Sequence, residues 1–346
     1  MWLALWACGS APEGGGERST LPVATERVSG DTGDHVDDSV DSGGRASLYE
    51  TAETADTAGD VPPYDGPSLL SETELYASLP SGTLATGVLP YDVQYPLWSD
   101  GAEKRRYLVV PAGTSIDTSD PDHWVFPVGT VAFKEFIRDG VRVETRRFAK
   151  TGATSWSYAT YLWRPDGTDA DLVLGAVPDA SGTSHDVPER ADCASCHVGP
   201  ADLFLGVSAV QLSMEQQALL PLSSTVPAAV PGEGATQAAL GLIHGNCGSC
   251  HREGSLAADR SGLLLDLRVS DTDPSTVHAV TTGVGARAKH TIEGTDVVIV
   301  PGDPEASQLW VRMGLGGLNA MPPAGRELPD TEGMAHVEAW IRSIPP

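Results

Sequence analysis

Four of the five cysteines fall into two copies of one pattern, Cys193-Ala194-Ser195-Cys196-His197 and Cys247-Gly248-Ser249-Cys250-His251. Two thiols two residues apart reach the two vinyl groups on one edge of a porphyrin and form thioethers. The adjacent imidazole then lies beneath the ring and supplies an axial nitrogen to iron. With 5 Cys and 9 His in 346 residues, chance produces the pattern roughly 0.002 times per chain, against its reading as a haem attachment. The competing chemistries are a dithiol redox pair, a disulfide, and a four-cysteine zinc site built from both copies. None of these needs a His directly after each second Cys. The pattern predicts two covalently bound haem c groups on Cys193, Cys196, Cys247 and Cys250, with His197 and His251 as iron ligands.

A haem that only carries electrons takes a second axial ligand, often Met. Met321 stands in Gly317-Leu318-Asn319-Ala320-Met321-Pro322-Pro323, where the prolines hold the loop extended ahead of the last helix. It is expected opposite His251. Met313 and Met334 stand in helical runs and read as packing. For the first haem the candidates are His244, three residues before Cys247, and Met214, at the end of an apolar helical pattern. An open iron site is the third option.

The fifth cysteine, Cys8, ends the apolar run of residues 1–7. Leu5, Ala7 and Cys8 resemble the end of a bacterial lipoprotein signal peptide, in which the cysteine becomes the lipidated N-terminus. Behind it, residues 1–65 hold 13 Asp and Glu against three Arg, so ten of the 25 net negative charges sit there. Such a stretch buries too little to offset its ordering entropy, and its like charges repel. The expected layout is a signal remnant at 1–8, a disordered acidic linker at 9–65, a β-rich module at 66–186 and a two-haem cytochrome c-like domain at 187–346.

The acidity argues against nucleic acid, whose phosphates need clustered Lys and Arg, and against electrostatic docking on anionic lipid. No run approaches 18 consecutive apolar residues, so membrane contact is expected only through a lipid anchor at Cys8. Redox partners are expected to present a basic docking face.

Residues 66–186 read as short strands broken by Gly, Pro and Asp: 104–111, 123–128, 130–137, 141–148, 155–163 and 171–177. Asp139-Gly140 is a hairpin turn signal. Trp98, Trp124, Trp156 and Trp163 fall in this stretch and are expected in a sandwich core, with an aromatic ligand groove as the lesser reading. From Val187 the pattern turns to short helices and loops. Helices are expected over 236–251, from Asp303-Pro304-Glu305 to Met313, and from Asp330 to Ile344. The fold class is therefore a β-rich sandwich-like module followed by an α-helical cytochrome c-like module carrying two haems.

Tyr95-Pro96-Leu97-Trp98-Ser99-Asp100-Gly101, Phe126-Pro127-Val128-Gly129-Thr130, both Cys-x-x-Cys-His segments, Val300-Pro301-Gly302-Asp303-Pro304-Glu305 and Met321-Pro322-Pro323 together resemble a family of exported bacterial two-haem c-type proteins, mostly uncharacterised. The resemblance spans about residues 67–346. It implies electron relay in the cell envelope, at the periplasm or outer membrane, and no established substrate. An electron carrier is favoured over a catalyst. The alternatives are a peroxidase-like oxidoreductase with an open first haem, and a surface binding protein that uses the β module.

Overall fold

The computed structural model describes residues 64–346, except 191, 194–196, 198–201, 203 and 324. Cys8, Cys196 and nearly all of the acidic linker lie outside the described residues. All described residues belong to one compact unit.

Its frame is a six-stranded antiparallel meander: β3 (Val88–Tyr91), β4 (Glu103–Val109), β5 (Val131–Arg138), β6 (Val141–Lys150), β7 (Trp156–Trp163) and β8 (Ala170–Val173), paired in chain order. A small ribbon of β1 (Tyr76–Ser78) and β2 (Thr83–Leu84) precedes it. The β5–β6 turn is Asp139-Gly140, with φ of +50° and +78°. Two positive φ values make a mirror-image turn, which matches the right-handed twist of the strands it joins.

The sheet's two faces are covered differently. On one, Tyr107, Phe133, Ala149, Ala159 and Tyr161 pack under Leu70, Leu75, Tyr76 and Leu79 from the preceding chain. On the other, Leu108, Ala132, Phe148 and Trp156 meet Ile116, Trp124 and Phe126, and then Phe204, Val207, Leu212 and Leu220 from far downstream. That cover is coil and short turns, tied on by Ile116, which donates to Pro221 O at 2.8 Å and accepts from Ser223 at 2.8 Å.

The downstream chain has α1 (Met214–Ala218), α2 (Gly234–Asn246), α3 (Leu256–Ser261), α4 (His278–Gly283), α5 (Gln308–Gly314) and α6 (Thr331–Ser343). A hairpin of β9 (Arg287–Ile292) and β10 (Thr295–Val297) sits among them. Ala239, Leu240 and Ile243 of α2 pack against Val337, Trp340 and Ile341 of α6, with Leu265, Ile299 and Met313 completing this core. Asp330 caps α6 by accepting the Gly333 amide at 2.9 Å.

Two expectations are overturned. A sandwich needs a second sheet, and the described residues form one six-stranded sheet and two short ribbons. No helical cytochrome c-like module is evident, because only α2 and α6 among the described helices exceed seven residues. Glycine and proline account for much of this. Gly262 ends α3 at φ +74°, and Glu293-Gly294, at φ +48° and +79°, turns β9 into β10. The Asp303 carboxylate does take the Ala306 amide at 3.1 Å, but this closes a separate turn and α5 starts only at Gln308. The tryptophans share no core either. Trp163 lies under one sheet face, Trp124 and Trp156 under the other, and Trp98 donates its indole to Leu328 O at 2.9 Å. No described helix is long and apolar enough to cross a membrane.

Candidate functional site

The second Cys-x-x-Cys-His segment begins where α2 ends. Cys247 is the C-cap of that helix, and the next turn stays helical: the amides of Cys250 and His251 donate to Cys247 O at 3.1 and 2.9 Å. Cys247 and His251 thus stand four residues apart, on one side of one turn. The described cysteines Cys193, Cys247 and Cys250 form no disulfide. Burial, with Cys250 alongside, pushes the Cys247 thiol up to about 12, so it stays protonated at neutral pH.

His251 is oriented by the backbone. Its Nδ1 lies 3.2 Å from Leu263 O. A carbonyl only accepts, so Nδ1 carries the proton and the lone pair is on Nε2, the arrangement of a metal-binding imidazole. Burial holds the ring below its ordinary pKa and keeps it neutral. Cys247 and Met321 line one cleft, together with Trp98, Met313, Pro322 and Arg326. The Met321 loop is held at its backbone: the Met321 amide donates to Arg312 O at 2.9 Å, and Arg326 Nη2 donates to Met321 O, Arg312 O and Leu315 O at 3.0–3.2 Å. Arg326 Nε is buried without a hydrogen-bond partner. Cys247, Met321 and Arg326 thus border one cleft, which His251 does not itself line; a thiol, an imidazole nitrogen and a thioether are the group types that a covalently attached haem uses.

His244 is a structural tie rather than a free imidazole. Its Nδ1 accepts the Leu267 amide at 3.0 Å, which puts the proton on Nε2, and burial lowers its pKa to about 4. It pins the stretch of coil after the second segment onto α2. Met214 opens α1 behind the Ser213 cap and is 46% exposed.

The first segment lies against the sheet. The His197 amide donates to Cys193 O at 3.0 Å, so this copy closes the same turn as the second. The His197 ring stands 4.5 Å from Phe148 and 5.7 Å from Tyr158, centre to centre, and Tyr158 Oη donates to His197 O at 3.2 Å. Phe148 of β6 and Tyr158 of β7 are directly paired across the strands, and Phe148 also stacks on Trp156 at 4.1 Å. Burial raises the pKa values of both Cys193 and Tyr158, the latter to about 12.

Phe204 joins this aromatic group because the chain before it is anchored to the sheet. Lys150 Nζ meets Asp202 Oδ2 at 2.5 Å, and the same oxygen accepts the Phe126 amide at 2.8 Å. Beside Phe204 and the second segment lies a cavity of about 550 Å³. Trp124, Phe204, Arg106 and Lys134 line one part of it, and His244, Gly248, Ser249 and Arg252 another.

The sequence singles out both segments and Met321, and does not single out Phe148, Tyr158, Phe204, Arg326 or the cavity. The alternation of Trp156, Ser157 and Tyr158 on β7 was the available signal for Tyr158, whereas Phe148 is the one aromatic residue of β6. Among the described residues no three side chains of His, Cys, Asp and Glu gather as a metal cage requires, whereas thioether-held haem needs one imidazole nitrogen from each segment. Comparison with family models, with curated proteins and with solved structures finds no match to the chain.

Proposed function

We propose that the protein is a two-haem electron relay of the bacterial cell envelope. One haem would be held by Cys193, Cys196 and His197, the other by Cys247, Cys250, His251 and Met321. The observation that carries this reading is the second segment: an imidazole whose tautomer is set by Leu263 O, with Cys247 and Met321 lining one cleft. When bound, such a group supplies one-electron chemistry at iron.

The chain's own residues do the remaining work. Leu263 O fixes the His251 ring and raises its basicity as a ligand. Arg326 clamps the Met321 loop through three carbonyls. Leu242, Met313 and Trp98 give the cleft its apolar walls. At the first segment, Phe148 and Tyr158 supply flat walls beside His197. The 47 acidic residues against 22 basic favour a partner with a basic face. Attachment to the membrane through Cys8 belongs to the same proposal and rests on the sequence near residue 8.

A second reading, an oxidoreductase with an open first iron, draws on the cavity of about 550 Å³ that begins one aromatic ring, Phe204, beyond Phe148. Carbon monoxide binding to the reduced protein separates the two. Binding at one haem per chain favours the oxidoreductase, and no binding favours the relay.

The test of either is expression in a host competent for c-type haem attachment, followed by haem staining after denaturation and a pyridine haemochrome assay. Two haems per chain are expected; a protein that carries none contradicts both readings.

A further inference from the structure

The connection between β3 and β4 contains Tyr95-Pro96-Leu97-Trp98-Ser99-Asp100, a stretch of which the electron-relay reading uses only Trp98, as a wall of the cleft. The structure lays it across the second segment as a strap. Its first contact is with α2. The Tyr95 ring lies so close to Gly241 that a Cβ there would stand 2.0 Å from a ring carbon, and a Cβ on Gly245 would stand 2.4 Å from Tyr95 O. Only glycine at both positions lets strap and helix approach this far.

The second contact is at Asn246, the residue directly before Cys247. Its Oδ1 accepts the Trp98 amide at 2.7 Å, and its Nδ2 donates to Pro96 O at 3.3 Å. The third contact is on the chain that follows Met321. Asp100 is buried, and its Oδ1 accepts the amides of both Glu327 and Leu328, at 2.8 and 2.7 Å. Trp98 Nε1 donates to Leu328 O at 2.9 Å, and the indole itself lines the cleft beside Cys247 and Met321. Arg326, next to these anchored residues, is the clamp on Met321 O. Lys104 Nζ ties the strap back to β4 through Leu97 O, and Arg138 ties it to β5 through Asp100 O.

Six residues therefore join the helix that carries Cys247 to the loop that carries Met321, and join both to the sheet. Such an arrangement holds the two sides of a cleft at a fixed separation. The link is strong at Asp100, because a carboxylate accepting two amides makes charge-assisted bonds, and its removal strands two donors.

We propose that this strap sets the approach of Met321 to a haem held on Cys247 and Cys250, with Asp100 as the positioning residue and Trp98 as the cover of the cleft. The inference rests on the electron-relay reading. It assigns the sheet a task in the second site: the rigid platform against which the Met321 loop is held.

The test compares wild type with Asp100→Ala, Asp100→Asn and Trp98→Phe in a c-haem-competent host. Haem stain and haemochrome count the attached haems. The methionine-to-iron charge-transfer band of the oxidised protein reports Met321, and hydrogen exchange reports the Glu327 and Leu328 amides. Asp100→Ala is expected to keep two haems, to lose most of that band, to bind carbon monoxide when reduced, and to exchange both amides about tenfold faster. Asp100→Asn, which keeps an accepting oxygen, is expected to retain the band. If Asp100→Ala does not accumulate, Trp98→Phe carries the test: it keeps an aromatic ring, loses the bond to Leu328 O, and is expected to weaken the band and raise carbon monoxide binding. Wild type without covalent haem overturns the relay reading and the strap with it. Two haems, with spectra of Asp100→Ala and Trp98→Phe identical to wild type, overturn the strap alone.

Discussion

The two Cys-x-x-Cys-His segments close the same turn, with His197 donating to Cys193 O at 3.0 Å and His251 to Cys247 O at 2.9 Å. Their surroundings differ in kind. The second continues a 13-residue helix, has its imidazole set by a backbone carbonyl, and shares a cleft with a methionine. Ahead of the first, the described helical residues are only Arg190 and Asp192, and its imidazole lies beside Phe148 and Tyr158 on the sheet. In the electron-relay reading the pentapeptide would carry the attachment chemistry, while packing decides what stands near the imidazole. One pattern in one chain therefore meets two unequal surroundings.

The strongest test of that inequality is removal of each cysteine pair. Cys247→Ala with Cys250→Ala, and Cys193→Ala with Cys196→Ala, are each expected to leave one of two haems by haem stain. Only the first pair is expected to abolish the methionine charge-transfer band. Equal loss of the band in both would erase the distinction.

A smaller effect is expected from Phe148→Ala, which removes the ring against His197 and Trp156. It should cost about 2–3 kcal/mol in chemical denaturation, less than a fully buried Phe, and should perturb the first haem's spectrum alone. Gly241→Ala strikes the other region. The Tyr95 ring leaves no room for a methyl group, so about 1–3 kcal/mol should be lost, with the methionine band weakened and the first haem unchanged.

The smallest effect concerns Lys104, which links the regions: its Nζ donates to Leu97 O in the strap, and Arg146, whose charge also acts on Cys193, lies close to it. Burial first, then Arg106 and Arg146, lower its pKa to about 7. The unfolded chain, with the ordinary lysine value of 10.5, binds more protons at this residue between those limits. The resulting stability is complete above the unfolded value and is lost as pH falls through about 7. Between pH 7 and 8 the gain is about 1 kcal/mol. Thermal denaturation at pH 7 and pH 8 should show this rise in wild type and a flatter profile in Lys104→Met.

Much of the local structure was legible from residue order. Strands β4 to β8, the Asp139-Gly140 turn and the capped helix from Asp330 follow from alternation, turn chemistry and a three-to-four-residue apolar step. What covers the second sheet face was not, because that depends on Ile116 meeting Leu222 and on Lys150 meeting Asp202, pairings that no local pattern encodes. The sandwich expectation failed for that reason. The helical expectation failed for a different one. The Glu293-Gly294 turn signal breaks a helical frame where β9 turns into β10, the β-branched run Val297-Val298-Ile299-Val300 follows from the end of β10, and a haem-attachment pattern upstream says nothing about either. The strap was invisible for the same cause as the sheet cover, since Asp100 and Leu328 stand 228 residues apart.

The central claim is that each of the two segments holds one haem. Intact-protein mass spectrometry under denaturing conditions, on chain matured in a c-haem-competent host, measures this directly. The account predicts the mass of the polypeptide plus two haems, falling by one haem in each double cysteine variant. A wild-type mass equal to that of the polypeptide alone would contradict it.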